Sequence, residues 1–152
     1  MESKGSHSFR SREPAFTITA NGHGVELAVV ETYNGTRLEI DASAGGRIYL
    51  DALALESLTW QDPTRLLDIA GVALPSEKKP ATYEILDRRD GVTIANEYAY
   101  VTLTRVVTDA GPALELASPK LGYAIHLGPA ELEAISYYDD RTFSTFLETP
   151  FG

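Results

Sequence analysis

The sequence predicts an α+β fold that is mainly β, built as two tandem β-meander repeats and closed as a small pseudo-two-fold barrel or sandwich with short helices. Three observations carry that expectation. First, the chain repeats itself: residues 16–40 laid on 92–116 at an offset of 76 give nine identities in 25 ungapped positions. These are Thr17/Thr93, Ile18/Ile94, Val25/Val101, Leu27/Leu103, Val30/Val106, Thr32/Thr108, Gly35/Gly111, Leu38/Leu114 and Glu39/Glu115. After one inserted residue the offset becomes 77, and Ile48/Ile125, Leu50/Leu127, Leu55/Leu132, Glu56/Glu133 and Asp62/Asp139 match. Second, the repeated segments alternate apolar and polar residues over strand lengths, bounded by turn residues. Third, two copies are too few for a solenoid but suit a dimer fused into one chain.

Each repeat reads in the same order. A short strand (16–20; 92–96) leads to a longer one (24–33; 98–108), then a tight turn and a return strand (36–41; 113–117). Asn34-Gly35 is a strong hairpin signal because both turn residues accept positive φ; Asp109-Ala110-Gly111 is its looser counterpart. A further strand (47–51; 123–127) precedes 52–60 and 129–137, whose apolar spacing fits neither helix nor strand. Short closing helices follow, capped by Asp62 or Asp139, with Pro63 suited to a first turn. The segment 82–97 adds a hairpin at Asp90-Gly91. The domain plan is a disordered polar tail (1–14), repeat one (15–73), a proline-bracketed linker (74–82) and repeat two (83–152).

The chain has 152 residues, 43% hydrophobic, enough for one compact domain with a core. Its net charge of −9 disfavours nucleic acid and anionic membranes as partners. It has no cysteine, which excludes disulfides, thiolate catalysis and cysteine-bound metals. No apolar run reaches membrane-spanning length and the N-terminus lacks the apolar core of a signal peptide, so the expectation is a cytoplasmic protein. No P-loop, G-x-S-x-G elbow, dinucleotide fingerprint or H-E-x-x-H spacing is present, and His7, His23 and His126 lie far apart in the chain. No metal and no cofactor is expected.

Folding the first hairpin about Asn34-Gly35 places Glu31 opposite Leu38 and Val29 opposite Ile40. Glu31 then shares a face with Val25, Leu27 and Val29, while Glu26, Thr32, Arg37, Glu39 and Asp41 form a wet face. In the second repeat Arg105 replaces Val29 and Val107 replaces Glu31. Each copy thus has one charge where its sister is apolar, and the signs are opposite. An unpaired charge in an apolar site costs several kcal/mol, roughly. One reading therefore sets Glu31 and Arg105 in a cavity shared by the halves, as catalytic acid–base and substrate-orienting groups. The other leaves both near wet strand ends, with long side chains reaching water. Tyr33, Tyr49 and His126, with Val29 and Val107, are the candidate substrate-binding residues; Tyr49 and His126 align across the repeat. Glu56/Glu133 and Asp62/Asp139 match in both copies, which suits capping.

Three functional readings follow. The first is a cofactor-independent cyclase, isomerase or lyase holding a largely apolar metabolite between the repeats. The second is a non-catalytic accessory or ligand-carrier protein, meeting a partner enzyme such as an oxygenase, or a second copy, through the aromatic segments 59–61 and 136–138. The third is a purely structural pseudo-dimer.

The stretches "VTIANEYAYV", "LELASPKLGYAIHL" and "DDRTFSTFLETPFG", with "IYLDALALESLTWQD" from the first repeat, resemble a family of short bacterial proteins of roughly seventy residues carried under the label dihydrodiol dehydrogenase. That resemblance implies a homodimer-forming module, here fused in tandem. The label implies a nicotinamide oxidoreductase; this chain lacks the phosphate-binding glycines and the length for separate cofactor and substrate domains.

Overall fold

The computed structural model describes residues 9–20, 22–62, 66–67, 85–88 and 91–148. The protein is mainly β with a few short helices, and its strands form two antiparallel sheets. The first comprises β1 (Phe9–Ala20), β2 (His23–Thr32), β3 (Gly35–Ala42) and β4 (Arg47–Leu50), in that order. The second comprises β5 (Ile85–Arg88), β6 (Val92–Ala95), β7 (Tyr100–Thr108), β8 (Gly111–Ser118) and β9 (Tyr123–Leu127). Here β5 and β6 both pair with β7, which is followed by β8 and β9. Among the described residues no ladder joins the two sheets.

The two halves run in the same order. The hairpins close at Thr32–Gly35 and Thr108–Gly111, and both glycines hold positive φ, 115° and 120°. The two-residue turns are therefore Tyr33-Asn34 and Asp109-Ala110, not Asn34-Gly35, with glycine following the turn as in a bulged hairpin. In each turn the threonine hydroxyl donates to the glycine carbonyl and accepts an N–H from the second turn residue. This moves the register: Val29 faces Leu38 and Glu31 faces Thr36.

The first strand is longer than expected. Residues 9–14, read above as part of a polar tail, extend β1 and pair with β2 through Arg12–Val30 and Pro14–Ala28. Of the hairpin expected at Asp90-Gly91, Asp90 lies outside the described residues; among those described β5 and β6 do not pair with each other but lie end to end along β7. A side chain at Gly91 would come within 3.0 Å of the Leu103 carbonyl, so the chain passes close to β7 at that break. A register shift at Pro14/Phe16 in β1 sits at the corresponding place.

The ambiguous segments are helices: α1 (Ala52–Leu58) and α2 (Pro129–Ile135). Asp51 caps α1 by accepting the Ala54 N–H at 2.9 Å. At α2 the Glu131 carboxylate accepts the Gly128 N–H at 2.9 Å, and Pro129 fits the first turn. A closing helix, α3 (Asp140–Glu148), follows, with Asp139 accepting the Thr142 N–H. Its expected counterpart shows a helical step at Leu66–Leu67; the rest of that helix and the linker at 74–82 lie outside the described residues.

The helices cross between halves. α1 packs on β7 and β8, and α2 packs on β2 and β3. Leu27, Leu38 and Ile40 thus share one continuous core with Leu132 and Ile135, and Leu103, Leu114 and Leu116 share it with Leu55 and Leu58. The matched glutamates do not cap. Glu56 is buried and accepts the Ser118 hydroxyl at 3.1 Å, and Glu133 reaches His23. Both contacts join one half to the other. No helix among the described residues is long and apolar enough to cross a membrane.

Candidate functional site

Alternation places Glu39 on the side of its sheet away from the core, as read from the sequence, yet it is only 3% exposed. The reason is Arg12, delivered by the unforeseen part of β1. Its guanidinium bonds the Glu39 Oε1 at 2.8 and 2.7 Å, and Tyr49 donates its hydroxyl to Oε2 at 2.9 Å. Register sets Arg12 opposite Val30 and Glu39 opposite Ala28, so the ion pair roofs both and leaves them fully buried. Burial, then the neighbouring Glu39 carboxylate, raises the Tyr49 phenol above its ordinary range.

The second sheet repeats the arrangement. Arg88 bonds Glu115 Oε1, and His126 Nε2 lies 3.0 Å from Glu115 Oε2. Val106, opposite Arg88, is buried in turn. Burial opposes ionisation of Glu115, but the Arg88 hydrogen bond and charge, with His126, hold its carboxyl below the ordinary glutamate range. Arg12 and Arg88 stand 76 residues apart, as do Glu39 and Glu115, and Tyr49 and His126 stand 77 apart. Those three repeated spacings were the sequence signal for both clusters; Glu39 and Glu115 were visible as a match, but not their arginines.

The clusters differ in what lies beside them. Next to His126 opens a cleft of about 260 Å³ built from both halves. Ala20 and His23 come from the β1–β2 turn; Thr108 and 110–113 from the β7–β8 hairpin; His126, Gly128, Pro129, Ala130 and Glu131 from the end of β9 and the start of α2. His23, set aside above as remote from His126, is thereby its neighbour across the cleft. His23 Nδ1 is bound to Glu133 Oε1, across 110 residues of chain. With Nδ1 held by Glu133, Nε2 is the ring nitrogen that carries no bond to that carboxylate. Two imidazoles, each backed by a carboxylate, therefore share one cleft, an arrangement suited to taking and giving protons.

The other expected site residues fall elsewhere. Glu31 is exposed and accepts the Thr36 hydroxyl at 2.8 Å; it keeps the parity of Val25 and Leu27 but stands beyond the end of the core. Arg105 donates Nε to the Thr17 carbonyl at 3.1 Å, joining the sheets through backbone. No ion pair joins Glu31 to Arg105 among the described residues, and neither lines the cleft. Tyr33 is 77% exposed beside the turn. Val29 packs partly against the core and Val107 is half-buried. Among the described residues no group of three or more His, Asp or Glu is placed to hold a metal ion.

No known protein family matches the chain, and no curated protein matches it.

Proposed function

We propose that the protein is a cofactor-independent enzyme of the cyclase, isomerase or lyase class, which binds a small, largely apolar metabolite in the cleft between its halves and moves protons on it. The observation that supports this reading is the meeting of His23–Glu133 and His126–Glu115 in one cleft, each pair held from behind. His23 Nε2 serves as the base. Glu133 stabilises the imidazolium that forms, as a carboxylate behind a catalytic histidine does. His126, with Glu115 kept ionised by Arg88, orients the ligand, and His23 returns the proton it took to the other position. Alanine and proline walls supply the apolar contact, and a volume near the lower end of ligand-pocket sizes favours a compact molecule. Glu31 and Arg105, the pair expected from the sequence to act, have no part in this arrangement.

We also read the matching order of elements and the exchanged helices as a fused duplication of a swapped homodimer, in which one of two equivalent sites was kept. An accessory role finds support in exposed Tyr98, Tyr100 and Tyr137, which could receive a partner enzyme or second copy.

The histidine ring signals, followed by NMR during a screen of small cyclic compounds, test the proposal. Binders are expected to shift the His23 and His126 rings together and to lose affinity in His126→Gln. Binders that map only to the exposed tyrosines would favour the accessory role instead.

A further inference from the structure

We propose that the cleft selects neutral or cationic ligands and rejects anions, so that its occupant is a compact ring or branched skeleton carrying a hydroxyl or amine, not a carboxylate or phosphate. This rests on the reading of the cleft as a ligand site. Among the described residues no lysine or arginine lines the cleft. Glu131, 1% exposed, is part of the wall, and Glu133 and Glu115 stand directly behind the two histidines. Arg88, the guanidinium that reaches Glu115, is engaged by that carboxylate. A ligand therefore has one carboxylate in the wall and two behind the histidines, against one committed cation, within a chain of net charge −9.

The corresponding place in the first half sharpens the contrast. There Arg37 stands for Ala113, Asp51 for Gly128 and Leu53 for Ala130. Arg37 and Asp51 pair at 3.8 Å, so a salt bridge stands where the second half has only small residues. A guanidinium that could receive an anion is thus present where its partner carboxylate occupies it, and missing where the cleft is open. Ala113 and Gly128 are the residues that decide which site is usable. In the alignment Tyr49 of the first half stands for His126, and Ala99 of the second half stands for His23.

Three probes of one shape and different charge test the proposal: cyclohexylammonium, cyclohexanol and cyclohexanecarboxylate, titrated into the full-length protein at about pH 8 and low salt, and followed by the His23 and His126 ring signals. The ammonium and the alcohol are expected to bind, and the carboxylate at least tenfold more weakly. A carboxylate that binds as well as the other two overturns the selectivity while leaving the cleft as a site. Failure of all three to move either ring overturns the cleft itself. The double substitution Ala113→Arg with Gly128→Asp transplants the plug of the first half; it should abolish probe binding with the dispersed amide spectrum unchanged. Undiminished ammonium binding in that variant would place the site elsewhere and overturn the proposal. Glu131→Gln retains an acceptor for the Gly128 N–H and should narrow the gap between ammonium and alcohol; Glu133→Gln should do the same without touching that cap. No change in the gap in either would overturn the electrostatic cause.

Discussion

Glu115 carries the clearest consequence at the scale of single residues. Its carboxyl is harder to protonate folded than unfolded because Arg88 and His126 outweigh its burial. The stabilisation is full above the ordinary glutamate range and is lost as pH falls through the lowered folded value. Arg88→Met should therefore flatten the acid limb of a melting-temperature profile between about pH 7 and pH 3, with the loss of stability largest at neutral pH. An acid limb unchanged from wild type would show that the ion pair contributes little. The matched glutamates were legible in the sequence, and so was the face they occupy. Their burial was not. Alternation reports which way a side chain points, not what arrives to cover it, and Arg12 comes from a stretch too polar to read as strand. The proximity of His23 and His126 was equally hidden, because it depends on two halves meeting.

At the scale of elements, the hairpins were legible through Gly35 and Gly111, although the turn lies one residue earlier than glycine placement alone suggests. The seven-residue helices were not, because two turns offer too short a window for a 3.6-residue period; packing on the opposite sheet decides them. The loop between β3 and β4 shows how tightly that packing is set. A side chain on Gly46 would stand 2.1 Å from the Ser136 Oγ and 3.0 Å from its Cβ, at the end of α2. Gly46→Ala should cost about 1–3 kcal/mol in urea unfolding, the usual penalty for overpacking. A neutral substitution would mean that α2 does not approach the loop this closely.

For the whole molecule, the exchange of helices makes each half depend on the other. Leu55, 1% exposed, belongs by sequence to the first half and by packing to the sheet of the second. Leu55→Ala should cost about 2–5 kcal/mol and lower amide-exchange protection in β7 and β8 at least as much as in β2 and β3. Loss confined to the first sheet would contradict the exchange. The matched residues at offsets of 76 and 77 made the strand order of each half legible, and the apolar pattern made a core legible. That each helix serves the other half was not, since nothing along a single chain distinguishes packing on one's own sheet from packing on its copy. The same ambiguity hid the cleft, which exists only where the halves join.

Proton transfer in that cleft is most directly measured by solvent exchange, which needs no knowledge of the natural substrate. A panel of cyclic ketones held in deuterium oxide with the protein should gain deuterium at the carbon beside the carbonyl faster than in buffer. His23→Gln should return the rate to the buffer value while leaving the circular dichroism spectrum intact. Equal incorporation with wild type and His23→Gln, or none above buffer across the panel, would contradict a catalytic role for the cleft.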